Sequence, residues 1–275
     1  MSFTTADVVK LRKSTGAGMM DCKNALTEAD GDFDRAVEII RERGKLVASK
    51  RADRDATEGA VLAKVTADHK FGAIVVLNCE TDFVAKNEKF IAFTTQILDA
   101  ALANKPADLN ELKAIVLDGR SIGEQVTEQV GIIGEKLDLS FYGKVEAETV
   151  VPYIHPGNKL ATIVGFNKAG IDVQLGKDVA MQVAAMSPVA VNRESIPQQV
   201  IDKEMEIARE KFRLEGKAEA MLDKIAMGAV QKWFSEAALL EQTFVKDGKI
   251  SVKQYINQND KNLDVTGFER YALDA

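Results

Sequence analysis

A chain of 275 residues, 46% hydrophobic and 28% charged, has the balance of a globular protein with room for two or three compact cores. Its 42 acidic residues outnumber 36 basic ones, and a net charge of −6 argues against a polycationic surface and direct nucleic-acid binding. Two cysteines, Cys22 and Cys79, without zinc or disulfide-scaffold spacing, an N-terminus without an apolar signal core, and no run of roughly 18 apolar residues predict a soluble cytoplasmic protein with no membrane partner.

Residues 1–44 predict a bundle of three short helices. Thr4 and Asp7 form a capping pair, Val8 and Leu11 share a face, and the first helix ends before Gly16. Cys22, Ala25, Leu26 and Ala29 recur at helical spacing, as do Phe33, Ala36, Val37 and Ile40, with Asp32 as cap and Gly44 as stop. A unit this small buries little surface and is expected to lean on a neighbour. Residues 45–59, KLVASKRADRDATEG, carry no clear apolar stripe and read as a linker with some helical character.

Strand patterns follow. AVLAKVTA and GAIVVLN flank DHKF as the arms of a β-hairpin. Phe90, Phe93, Ile97 and Ala101 mark a helix, further helical segments reach about Lys136, and Phe141 to Ile154 returns to strand character. KFGAIVVLN, Lys70 to Asn78, aligns without gaps with KLATIVGFN, Lys159 to Asn167. The echo extends into a following helix, where Phe90 matches Val179 and Ile97 matches Met186. A strand-then-helix unit used twice predicts an α+β core of two related subdomains, 60–140 and 141–196 with 238–275, each a sheet covered by helices.

Residues 197–237 interrupt the second subdomain with two helical patterns, Gln198–Leu214 and Lys217–Ala237, joined by Glu215 and Gly216. They predict an antiparallel hairpin. Val200, Ile201, Met205, Ala208 and Phe212 make one facing row, answered by Met221, Leu222, Ile225, Ala229 and Phe234. The pattern fits equally an arm projecting for oligomerisation or docking and a pair laid flat on the core. A short helix near Ser251 and the strand VTGFERYAL, joining the second sheet, close the chain.

Motifs for chemistry are missing. The chain has no GxxxxGK[ST] phosphate loop, no GxGxxG after a strand and no HExxH, and its two histidines, His69 and His155, argue against a histidine-rich metal site. No metal or cofactor is expected. Cys79 and His155 offer a thiol and an imidazole, but Cys79 ends an apolar strand and His155 lies in the loop signal YIHPGN. Glu80 and Asp82 are spaced as a pair on one side of a strand end, and Asp82 fits as well as a helix cap. Unusual residues gather instead at corners: Met19 and Met20 after TGAG, and Phe83 after the first central strand. Together they resemble a distributed docking surface.

Two stretches carry a resemblance. LRKSTGAGMMDCKNAL, Leu11 to Leu26, and LNCETDFVAKNEKF, Leu77 to Phe90, are similar to the two characteristic motifs of the bacterial elongation factor Ts family. ADGDFDRAVEIIRERG, YIHPGNKLA and TGFERYAL fit the same family in the same order, so the resemblance spans nearly the whole chain. It implies a ubiquitin-associated-like helical domain, a core of two related subdomains and a coiled-coil hairpin. It implies a non-enzymatic role: binding elongation factor Tu in its GDP-bound and nucleotide-free forms, and promoting GDP release by displacing Mg²⁺ and distorting the nucleotide site. In that role Thr81, Asp82, Phe83 and Val84 disturb the partner's magnesium site, with Phe83 as the wedge. Leu11, Arg12, Met19 and Met20 contact the partner's GTPase domain, and His155 and Gly157 lie in a loop facing its phosphate-binding region. The hairpin 197–237 mediates self-association or further contacts. Some members carry a further helical module after the GFERYAL-like strand; with the chain ending at Ala275, that grip on the partner is expected to be absent.

Two other classes compete. A plain binding adaptor using the helical unit leaves the TDFV corner dispensable. A cysteine-dependent hydrolase, ranked last, predicts that Cys79→Ser abolishes activity.

Overall fold

The computed structural model describes residues 3–273. Helices α1 (Thr5–Thr15), α2 (Met19–Glu28) and α3 (Phe33–Lys50) open the chain. Thr4 and Asp7 form a reciprocal capping box on α1, and Gly16 closes it in the left-handed conformation. The Asp32 side chain accepts from Arg35 N at 3.0 Å to start α3. Leu11, Cys22, Ala25, Leu26, Ala36 and Ile39 form the core of this unit. The stop expected at Gly44 is not there. The helix runs on to Lys50, so the helical character expected in 45–59 occupies its first part.

A hairpin of β1 (Glu58–Val65) and β2 (Phe71–Cys79) leads into a one-turn helix α4 (Asp82–Ala85) and the long helix α5 (Glu88–Asn104). Helix α6 (Leu109–Ala114), a two-residue-stranded hairpin β3 (Val116–Leu117) and β4 (Arg120–Ser121), and α7 (Ile122–Ile133) follow before β5 (Asp138–Glu146). The first sheet has the order β1-β2-β5, all antiparallel. The reason Gly44 does not end α3 now emerges: it faces Gly131 of α7, and a Cβ built on Gly131 falls 2.3 Å from Gly44 Cα. Two glycines let the helix backbones touch. Beyond the crossing, Val47 and Ala48 pack on the core of the first sheet.

The second half contains β6 (Thr149–Ile154), β7 (Leu160–Phe166), α8 (Val173–Met186), the hairpin helices α9 (Gln198–Leu214) and α10 (Glu219–Ala237), the short strands β8 (Thr243–Phe244) and β9 (Asp247–Ser251), α11 (Val252–Asn259) and β10 (Val265–Ala272). Its sheet has the order β10-β7-β6. As in the first half, a central strand is flanked by its hairpin partner and by a strand that returns after the helices. The sequence echo extends to an irregularity. Ser140 of β5 bulges opposite the Val76–Leu77 step, and Thr266 of β10 bulges opposite the aligned Gly165–Phe166 step. Phe90 and Val179 are both buried as matched, but Ile97 is buried where Met186, the last residue of α8, is exposed.

The two sheets pack face to face. Val61, Ile74, Val76, Val150, Ala161 and Ile163 fill the space between them, while Phe71, Val75 and Leu77 of β2 point the other way, onto α5–α7. Strand β2 is therefore apolar at almost every position because both its faces are covered. The molecule is an α+β protein with helices on the outside of a double sheet.

Helices α9 and α10 pack along each other, and their base rests on Ala190, Ile196 and Ala238. Of the expected α10 row, Leu222 and Phe234 are buried and Ile225 and Ala229 half-buried, while the fully buried row runs Leu222, Ala226, Val230 and Phe234. Spacing by four keeps one continuous row against α9, and Met221 turns to solvent.

Candidate functional site

Strand β2 ends at Cys79 in the core, and the chain turns through Glu80 and Thr81 into the single turn of α4. Thr81, not Asp82, is the cap: its side chain accepts from Val84 N. Ala85 is buried and Val84 packs half-buried on the core, so the turn rotates Phe83 outward. Phe83 is 84% exposed, the most exposed large apolar side chain among the described residues. The ring therefore takes no part in the protein's own core.

The base of the corner is held by two carboxylates. Glu135, just after α7, accepts from Glu80 N at 3.1 Å, Thr81 N at 3.0 Å and Thr81 Oγ1 at 2.7 Å. Glu80 answers by accepting from Lys136 N at 2.6 Å and from Arg51 Nη1, at the end of α3, at 2.7 Å. These donors, the Lys136 N–H first, hold the Glu80 carboxyl below its ordinary 4.5. Glu80 and Asp82 are thus not an acid–base pair: Glu80 faces inward, and Asp82 is bonded to Lys86 at 2.6 Å, which lowers its pKa too.

A depressed carboxyl contributes stability above its unfolded pKa and loses it as pH falls through the folded value. Glu80→Gln is therefore expected to lower unfolding stability at pH 7 by about 1–2 kcal/mol. The deficit should shrink as pH drops below 4.5, where wild type loses the same contribution. Denaturant titrations of both proteins at several pH values check this; a deficit constant with pH contradicts it.

The turn between β6 and β7 packs on β1, the hairpin partner of β2. His155 N donates to Leu160 O at 2.8 Å and Asn158 N to His155 O at 3.1 Å. Gly157, at φ +94°, supplies the conformation that closes the turn. Asn158 O accepts from Val61 N at 2.7 Å, and Lys159 pairs with Glu58 at 3.0 Å, across the ladder from Cys79. Lys159 is near enough to Asp82 to help lower its pKa. Asp82, Phe83, Ile154, His155 and Gly157 are all solvent-accessible, and Lys159, at the end of the turn, links it to Glu58 opposite the end of β2.

Cys79 and His155 do not meet as a thiol–imidazole pair. Burial first, then the charge of Glu135, pushes the Cys79 thiol up to about 12, and its Sγ lies 3.2 Å from Thr81 O. The His155 ring is exposed, with Nδ1 2.9 Å from the Tyr153 hydroxyl. A thiol held protonated inside the core is no nucleophile, which removes the hydrolase reading.

In the helical unit Arg12 and Met20 are exposed, Met20 by 63%, while Met19 packs half-buried on the core. Leu11 is fully buried, so it cannot be a direct contact; it holds α1 against its neighbours. A cleft of 530 Å³ opens beside the Gly44–Gly131 crossing, but its arginines are engaged: Arg41 and Arg120 with Glu128, Arg43 with Glu28. No group of three metal-ligating side chains and no helix long and apolar enough to cross a membrane occurs among the described residues.

Comparison with known proteins matches the sequence to a family. The model of the family described as elongation factor TS matches residues 80–275, starting at the corner itself. The chain is 52% identical over 277 residues to an elongation factor Ts of Porphyromonas gingivalis, covering 100% of both chains. It is 50% identical over 273 residues to that of Azobacteroides pseudotrichonymphae, covering 99% of each, and 50% identical over 277 residues to that of Amoebophilus asiaticus. The chain belongs to the elongation factor Ts family.

As a member of the elongation factor Ts family it is a translation elongation factor. The relatives cover the helical unit as well as the double sheet, so both belong to the elongation factor Ts chain. Of the residues that sequence reading singled out, Thr81, Asp82, Phe83 and Val84 form one anchored corner, and His155 and Gly157 lie in a separate turn packed on β1. Reading missed Glu135 and Lys159. Glu135 follows Gly134, a helix stop, where a charged residue ordinarily faces water, and nothing local marks it as the anchor of a corner 54 positions away.

Proposed function

We propose that the chain is a guanine-nucleotide exchange factor for elongation factor Tu, acting in the cytoplasm by binding and without bond chemistry. The observation that carries this reading is Phe83, presented at 84% exposure on an anchored one-turn helix. Phe83 enters between side chains of the GTPase next to its Mg²⁺ site. Asp82, Thr81 and Val84 set the approach, and the His155–Gly157 turn faces the phosphate-binding region. Arg12, Met19 and Met20 of a ubiquitin-associated-like unit, residues 1–44, make a second contact with the GTPase domain. The coiled-coil hairpin, residues 197–237, serves self-association or docking.

The physics is linkage. Mg²⁺ and phosphates hold switch segments of a GTPase in place, so displacing the metal site weakens nucleotide binding. A factor that binds the nucleotide-free partner more tightly than the loaded one lowers nucleotide affinity by that same ratio. A coupling of roughly 4 kcal/mol corresponds to about a thousandfold. The test is release of a fluorescent GDP analogue from elongation factor Tu. Acceleration by catalytic amounts of the chain supports exchange; unchanged release from a folded partner leaves an adaptor as the better reading.

A further inference from the structure

We infer that Glu135 is a positioning residue for exchange: its carboxylate fixes the backbone at Glu80 and Thr81 and thereby the direction in which Phe83 is presented. The inference rests on the reading of Phe83 as the wedge. A four-residue helix has no stability of its own, because the first turn fixes several dihedrals for a single hydrogen bond. Something outside α4 must hold it. Glu135 supplies that hold by accepting two consecutive backbone N–H groups and the Thr81 hydroxyl at once. The hydroxyl hydrogen is directed to Glu135 Oε1, which leaves the Thr81 oxygen free to accept from Val84 N at 3.4 Å. Acceptor, hydroxyl and turn thus form one chain of bonds that ends on the residue after Phe83.

The clasp is reciprocal. Glu80 accepts from Lys136 N, so residues 80–81 and 135–136 are crossed by bonds in both directions. Arg51 extends the same cluster to the end of α3. Glu135 is half-buried under the corner, so it acts through Phe83 and not beside it. A wedge needs its ring in one place before it meets the partner, since small misplacements of an acting group cost large factors in rate.

The experiment measures GDP release from elongation factor Tu with the full chain carrying Glu135→Ala, Glu135→Gln, Phe83→Ala, and Phe83→Ala with Glu135→Ala. Glu135→Ala is expected to lower the rate at saturating factor by about tenfold while moving the half-saturating concentration less than about threefold. Glu135→Gln, which keeps one acceptor oxygen, should recover most of the rate. In the Phe83→Ala background, Glu135→Ala should cost no more than about twofold further, because the group it positions is gone. A wild-type rate for Glu135→Ala, or a full additive loss in the double variant, overturns the inference. If Phe83→Ala alone exchanges normally, the wedge reading fails instead, and the inference falls with it. Should Glu135→Ala not fold at the assay temperature, Glu135→Asp replaces it. The shorter side chain keeps the charge but withdraws the carboxylate from Glu80 N and Thr81 N. Exchange should then be slow at a near-wild-type melt, and a wild-type rate overturns the inference.

Discussion

Phe83→Ala is expected to slow factor-stimulated GDP release from elongation factor Tu by about 30-fold or more, the effect of removing an aromatic hot spot worth at least 2 kcal/mol. The folded chain itself should not register the change. Phe83 lies almost wholly in solvent, while Ala85 is buried and Val84 packs on the core, so truncating the ring removes little from the protein's own packing. Unfolding stability is expected to stay within about 0.5 kcal/mol of wild type, as for other surface substitutions. Stopped-flow release and a thermal melt of the same samples separate the two. An equal acceleration by both proteins keeps exchange as the function but places the wedge elsewhere.

The second large effect is expected at the glycine crossing, and it should be lopsided. A Cβ on Gly131 meets Gly44 Cα at 2.3 Å, a backbone atom that cannot swing aside, so Gly131→Ala has to push α3 away from α7. Overpacking of this kind costs about 1–3 kcal/mol. Val47 and Ala48, which pack on the first sheet beyond the crossing, would lose their seat as well. The substitution of its partner is different. A Cβ on Gly44 meets its nearest neighbour, Glu128 O, at 3.6 Å, an ordinary contact. Gly44→Ala should therefore be tolerated, with up to about 1 kcal/mol gained from helix propensity. Denaturant melts with hydrogen exchange along α3 check both. Equal destabilisation by the two variants, or protected α3 amides in Gly131→Ala, contradicts the packing account.

The glycine pair also explains one way in which the sequence misleads. Gly44 ends an apolar repeat and is followed by a polar stretch, which is the local signature of a helix stop. Its actual partner is a glycine in another helix, invisible to any window around it. In the α10 row only Met221 is misplaced, for a related reason. Met221 and Leu222 are adjacent and equally apolar, and only the presence of α9 on one side decides which of them is inside. The family resemblance makes Leu11 a partner contact, although it is fully buried, because a motif does not distinguish the residue that touches a partner from one that holds the helix in place.

What the sequence determined by itself are the features written within a few residues: the Thr4–Asp7 and Asp32 caps, the β1–β2 hairpin, the repeated strand-then-helix unit, the two hairpin helices, and the oddity of a phenylalanine at a corner. These follow from hydrogen bonds and side-chain periodicities that span one turn or one strand. The tertiary structure alone decided that α3 crosses α7 through two glycines and that Glu135 and Glu80 clasp the corner. It alone also docked the His155 turn on β1 through Asn158 and Lys159. Each of these joins residues far apart in the chain, and their meeting is fixed by how two sheets and their helices pack, not by any property of the segments themselves.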